Sequence, residues 1–278
     1  LDHAAAVWFN ESKKANEKLS SMQYNMGKAV LKIRSMPSKA ALLGDLGWLP
    51  ICDHLNIKRI SYYEHLLNMS ETRLTKVVYN ELATLHRNGK KTAFKYVDNI
   101  NSLLIDKGLD FMVDNNALVS AKHVKKAITH QYAMEFNNTL YEKTSLLHYR
   151  VVKENTFQPS YLKCQNVGFK AIQLKFKLRA GVSGIGEDLY RQHRGTGMCS
   201  FCGEFESLKH VLLQCHAYQY ERQKMISNIK DNCDEATFSL FLEDSMFAMY
   251  NVLGDHDNLF NKPFLMYLLE MWKIRNSD

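Results

Sequence analysis

Apolar residues recur every three to four positions along most of this chain, and that period belongs to helices. Near the start they fall at Ala6, Phe9, Leu19, Met22, Met26, Val30 and Ile33, and the last five predict an amphipathic helix from about Glu17 to Ile33. From Ala40 to Pro50 two glycines and a proline break the pattern. Pro50 is placed to open the next helix at its first turn, where a missing N–H costs nothing. That helix carries Ile51, Leu55, Ile60, Tyr63 and Leu67 on one broad face. Shorter helices are expected over Leu74–His86 and Thr92–Ile105, split by the polar turn Arg87-Asn88-Gly89-Lys90-Lys91. Ser120 is positioned as the N-cap of a long helix reaching about Tyr149, in which Val124, Ile128, Tyr132, Phe136 and Leu140 recur every four residues. Its other face, with Lys122, Lys125, Lys126 and His130, reads as a solvated face or as a phosphate-facing stripe.

A change of unit is expected around Gln158-Pro159-Ser160, giving domains 1–155 and 156–278. Beyond it, Phe169, Ile172, Phe176 and Leu178 interleave with Lys170, Lys175, Lys177 and Arg179, which predicts a basic amphipathic helix ending at Gly181. The run Gly181-Val182-Ser183-Gly184-Ile185-Gly186 is expected to be a flexible connector. It lacks the G-x-x-x-x-G-K-[ST] ending of a phosphate loop, and no strand precedes it. Helices over Tyr218–Ile229, Ala236–Leu242 and Pro263–Ile274 close the chain. Four prolines and thirteen glycines are too few to punctuate many short strands, so the expected fold class is all-α.

Charge changes this picture through its distribution. The net charge is +7, but residues 161–230 hold 11 Lys/Arg against 5 Asp/Glu, while 231–278 hold 3 against 9. A basic middle suits contact with a phosphate backbone. The densest run before the cysteine cluster supplies the candidate contacts Lys170, Lys175, Lys177, Arg179, Arg191 and Arg194. No apolar run approaches the roughly 18 residues of a membrane span, so no membrane partner is expected, and the chain is expected in the cytoplasm or nucleus. It opens with Leu1-Asp2-His3 already inside a helix-like pattern, which points to a fragment lacking its upstream part.

Three of the six cysteines crowd into residues 199–215 with a histidine between, as metal ligands do in a reducing compartment. Cys199, Cys202, His210 and Cys215 have the form C-x2-C-x7-H-x4-C, and Cys3His is a standard closed set for one structural zinc ion. Four protein ligands leave no open position for catalysis by the metal. Gly203 relieves the backbone after the second cysteine, and Ser207 is placed to cap the turn that carries His210. His216, beside the last cysteine, is the alternative fourth ligand in place of Cys215 or His210. Cys52, Cys164 and Cys233 read as packed thiols. Phe201 and Phe205, between ligands, either stack on bases or pack against the metal site.

Two segments resemble the carboxyl-terminal part of non-LTR, LINE-type retrotransposon reverse transcriptases. One is Leu178-Arg179-Ala180-Gly181 followed by the glycine loop and the cysteine motif, which is similar to the zinc knuckle of those enzymes. The other is Ala40-Ala41-Leu42-Leu43-Gly44-Asp45-Leu46-Gly47-Trp48-Leu49-Pro50-Ile51, similar to their ALxGELGWLP segment and followed by Leu67-Asn68-Met69. The resemblance implies a thumb-like helical region leading to a CCHC knuckle embedded in helices. It also implies RNA or DNA and the missing upstream polymerase region as partners. The parent enzyme would be an RNA-directed DNA polymerase. This chain has no Asp-Asp pair to bind the two magnesium ions of that chemistry, and residues 216–278 have no Pro-Asp motif of a restriction-like nuclease, so a non-catalytic, nucleic-acid-binding fragment is expected. The rival expectation is a domesticated or decaying protein-interaction module with a zinc-stapled helical fold.

Overall fold

The computed structural model describes residues 12–88, 95–112, 119–153, 155–254 and 258–277. The expectations for Leu1-Asp2-His3, Ala6, Phe9, Gly89-Lys90-Lys91 and the start of a helix at Thr92 lie outside the described residues. Thirteen named α-helices carry the described chain: α1 (Lys13–Val30), α2 (Lys39–Leu46), α3 (Ile51–Leu67), α4 (Leu74–Arg87), α5 (Tyr96–Asp106), α6 (Ala121–Glu142), α7 (Leu147–Val152), α8 (Phe169–Arg179), α9 (Gly186–Arg191), α10 (Gln219–Lys230), α11 (Glu235–Glu243), α12 (Ser245–Leu253) and α13 (Asn258–Arg275). Among the described residues, extended pairing is limited to one antiparallel bridge between Met198 and Phe205. The fold class is therefore all-α.

By contact the chain divides into Leu1–Gln23 with Leu49–Glu135, and Tyr24–Trp48 with Phe136–Asp278. In the first unit Ile60 and Tyr63 of α3 meet Ile100 and Leu104 of α5 and Val124 and Ile128 of α6. The Tyr79 hydroxyl of α4 donates to the Tyr63 hydroxyl at 3.2 Å inside this core. The start of α6 follows the expectation at Ser120, whose carbonyl accepts from the Val124 N–H at 3.1 Å, but the helix ends at Glu142 and not near Tyr149. The free N–H of Ala121 is satisfied from farther away, by the Glu64 carboxylate at 3.1 Å. Lys122, Lys125, Lys126 and His130 are all exposed on that side of α6.

The second unit is built around α8, α10, α12 and α13, whose Leu174, Leu178, Met225, Ile229, Val252, Phe264 and Leu268 form one core. Several features there differ from the sequence expectation, among them α12, which lies outside every expected helix. The segment 40–50 contains a helix, α2, in which Ala41 through Leu46 are all buried. A helix buried on every side has no polar stripe and hence no period to detect. It ends at Gly47, whose φ of 66° is the left-handed conformation that closes a helix, with the Trp48 N–H reaching back to the Leu43 carbonyl at 2.9 Å. Another feature is α13, which starts at Asn258, ahead of Pro263, because Phe260 is buried in the same core.

α1 presents a further difference. The expected apolar face is largely solvated, with Met22 49%, Met26 54% and Val30 51% exposed. The buried residue is Gly27, where an added Cβ would lie 3.0 Å from methyl groups of Leu42 and Leu46. Close approach of the Leu42 and Leu46 side chains at a glycine decided the packed side, not the apolar stripe.

Candidate metal centre

The segment 197–206 doubles back as a short hairpin. The Cys199 N–H donates to the Glu204 carbonyl at 2.7 Å, the Glu206 N–H to the Gly197 carbonyl at 2.7 Å, and the Gly203 N–H to the Cys199 carbonyl at 2.9 Å. Gly203 turns the chain with φ of 73°, as its position after the second cysteine predicts. Ser207 then caps the following turn, its Oγ accepting from the His210 N–H at 3.0 Å. From His210 to Gln214 the turn widens to a π-helix, closed by the Cys215 N–H on the His210 carbonyl at 2.8 Å. In an α-helix residues five apart point about 140° from one another, and the wider turn swings them back toward one side. This widening brings His210 and Cys215 to the same point.

The result is a cluster in which the ligating atoms of Cys199, Cys202, His210 and Cys215 all lie within 4.8 Å of one another. Cys199 and Cys215 sulfurs are 3.9 Å apart, and the Cys202 sulfur is 3.2 Å from His210 Nε2. Sulfur and nitrogen held tetrahedrally on one ion would sit a little under about 4 Å from each other, so small side-chain adjustments close the set. The other ring nitrogen, His210 Nδ1, faces the Glu204 carboxylate at 3.2 Å, which fixes the ring with Nε2 toward the sulfurs. Carbonyls left by the wide turn are satisfied from the helices around it. The Tyr267 hydroxyl donates to Val211 and Leu212 carbonyls at 3.1 and 3.3 Å, and Arg222 donates to the Cys215 carbonyl. Leu208, Val211 and Leu212 belong to the core of the unit, so the cluster is anchored in it.

The donor set fits one metal ion. His216 is exposed and lies outside the cluster, and Cys52, Cys164 and Cys233 are not part of it. Burial, followed by the neighbouring Cys199 and Cys202 sulfurs, pushes the Cys215 thiol up to about 11. A metal must therefore displace a proton from this thiol at neutral pH. Its apparent affinity is expected to fall by at least about tenfold per pH unit as pH drops from 8 to 6, read by competition with a chromophoric chelator. A flat profile would mean that Cys215 is not a ligand.

No family model, curated protein or solved structure matches this chain. The structure separates the six expected phosphate contacts. Lys170 and Arg194 are exposed, and Lys177 is half-buried. Lys175 and Arg179 are 0% exposed, which corrects their assignment to a contact surface. Lys175 donates to the Asn261 side-chain oxygen at 2.6 Å and lies over the Tyr161 and Phe264 rings. Arg179 grips both oxygens of Asp45, at 3.1 and 2.9 Å, and donates to the Leu253 carbonyl. Arg191 is tied to Asp188 and to the Gly181 carbonyl. The signal was present in the spacing: Ile172, Lys175, Phe176 and Arg179 follow one helical face, whereas Lys170 and Lys177, seven apart, follow another.

Sequence reasoning missed the carboxylates that organise the glycine loop. Asp188 accepts from the Ser183 N–H at 2.7 Å, the Ser183 hydroxyl at 2.6 Å and the Gly184 N–H at 3.2 Å. Glu206 accepts from the Gly186 N–H at 2.5 Å and pairs with Arg275. The N–H groups that a phosphate loop would aim at its ligand are thus occupied by side chains of the protein, and the segment is a structured turn leading into α9, a helix the sequence did not predict. Phe201 packs edge-on against buried Tyr218, while Phe205 stays 44% exposed beside Tyr190. No described helix is long and apolar enough to cross a membrane.

Proposed function

We propose that the chain is a non-catalytic, nucleic-acid-binding part of a LINE-type reverse transcriptase, fastened by one structural zinc ion. The observation that carries this reading is the convergence of Cys199, Cys202, His210 and Cys215 to within 4.8 Å in the motif frame of the knuckle it resembles. Three soft thiolates and an imidazole select zinc over harder ions, and a closed set of four gives the ion a folding role. The second resembling segment lends support from another direction. Its Asp45 meets Arg179, which belongs to the segment leading into the knuckle, so the two motifs are partners in one fold. Exposed Lys170 and Arg194 supply affinity for a phosphate backbone with little sequence discrimination.

Binding of the zinc-loaded chain to a mixed-sequence RNA or to nicked DNA is expected to weaken steeply from 50 to 200 mM salt, by about tenfold or more, in fluorescence anisotropy. No primer extension is expected with Mg²⁺ or Mn²⁺; template-dependent incorporation surviving removal of contaminating polymerases would overturn the non-catalytic assignment. The alternative, a protein-interaction module, draws on α4, where Leu74, Val77 and Val78 are 77%, 43% and 47% exposed. It is favoured if nucleic acid does not bind and a salt-insensitive protein partner does.

A further inference from the structure

Residues 24–48 and 169–179 together contain eight lysines and arginines and a single carboxylate, Asp45. Asp45 is buried against Arg179, and Lys175 is buried as well, so the charge these two segments present to solvent is wholly positive. The segments are far apart in sequence but joined in the fold. The Gln173 side-chain amide of α8 donates to the Leu31 and Lys32 carbonyls, just past the end of α1, at 2.8 and 2.9 Å. Lys32, with φ of 48°, turns there so that its ammonium lies 5.3 Å from the centre of the Phe169 ring. Phe169 is itself 40% exposed, Lys170 follows it, and Lys177 lies two turns further along α8.

We propose that Lys32, Phe169, Lys170 and Lys177 form a docking surface for single-stranded nucleic acid. The three ammonium groups track the backbone, and the Phe169 ring offers a face to an unpaired base. The partner follows from the chemistry: two joined segments whose own solvent-facing charges are all positive attract a polyanion, and an exposed ring set among the cations adds stacking that a closed duplex cannot use. The Lys177 amine is held below the usual lysine range by burial and then by repulsion from Lys170, a cost that a bound phosphate would relieve. This surface rests on the nucleic-acid reading above and gives that reading a location. It replaces the buried Lys175 and Arg179 with Lys32, a residue from the other end of the chain.

The test uses the full zinc-loaded chain and a 30-nucleotide single-stranded RNA of mixed sequence. Lys32→Glu with Lys170→Glu is expected to weaken binding by at least about tenfold and to lower the slope of log affinity against log salt by about 1.4, two contacts at roughly 0.7 each. Phe169→Ala is expected to lose about fivefold or more, since one base–aromatic stack carries about 1–3 kcal/mol. The neutral pair Lys32→Gln with Lys170→Gln checks the result should the reversal disturb folding, and helical circular dichroism should be unchanged in each. Lys122→Glu with Lys125→Glu on α6 makes the same change in net charge and is expected to stay within about twofold of wild type. An equal loss in this control, or no loss in the patch variants, overturns the surface while leaving nucleic-acid binding intact. Patch-dependent binding to phosphatidylserine vesicles that exceeds binding to RNA would reassign it to a membrane. A wild-type chain that binds no RNA would overturn the functional reading together with it.

Discussion

Purified from cells, the chain is expected to carry one zinc ion, and its removal by a chelator, or Cys202→Ser, is expected to melt the 197–206 hairpin. In small zinc fingers the ion contributes on the order of 10 kcal/mol, because the segment has no core of its own. Here the two halves of the motif differ. Cys199 reaches the core at 3% exposed, but the hairpin that carries it and Cys202 is otherwise tied by a few backbone hydrogen bonds, while Leu208, Val211 and Leu212, beside His210 and Cys215, are 0%, 0% and 1% exposed in the same core. Metal loss should therefore raise hydrogen exchange sharply at 199–206 and expose Phe205 further, while amides near Val211 and Leu212 stay protected. The midpoint of thermal unfolding should fall as well. Cobalt substitution supplies an independent readout, since tetrahedral thiolate ligation gives intense visible absorption that Cys202→Ser would weaken. A chain isolated without metal, or one whose exchange is indifferent to chelation, would remove zinc from the account.

Arg179→Ala is expected to destabilise the chain by about 3–5 kcal/mol, as breaking a buried ion pair leaves its partner charge uncompensated. Asp45 also accepts from the Tyr149 and Tyr161 hydroxyls, at 2.9 and 2.6 Å, and has Lys153 at 3.8 Å. Burial by itself would raise its carboxyl, but the Arg179 and Lys153 charges and these hydrogen bonds reverse the effect and hold it below the usual carboxylate range. Its contribution is then present above the ordinary carboxylate pKa and lost as pH falls through the folded value. Arg179→Lys should recover little, because one ammonium cannot make the two-pronged contact. Asp45→Asn should cost a similar amount by stranding Arg179. Chemical denaturation decides the matter, and a cost below about 1 kcal/mol for Arg179→Ala would show the network to be dispensable. Such a loss would appear as unfolding with loss of all binding, unlike the surface variants at Lys32 and Lys170.

Long helices with one polar face were legible in the sequence because burial on one side leaves a period. The stripe Val124, Ile128, Tyr132, Phe136 and Leu140 of α6 is buried throughout, at 0%, 1%, 8%, 2% and 2% exposed. The metal cluster was legible for a related reason: its ligands lie within one short segment, so spacing alone constrains their geometry. Ser207 and Gly203 were readable likewise, as each acts on the backbone within a few residues of itself.

What the sequence determined by itself is the all-α class, most helix positions, and the four residues that converge at the candidate metal centre. Only the tertiary structure decided which cations are accessible, which helix face packs, and where α2, α9 and α12 form. Asp45 and Arg179 are 134 positions apart, and no local pattern records that one neutralises the other. The charge on α8 that spacing places on a surface is in part a buried anchor, Arg179, and on α1 Gly27, not the apolar stripe, is the side that packs. Local spacing encodes what neighbours along the chain do to one another, whereas the fate of a charge or an apolar side chain depends on what the fold brings opposite it.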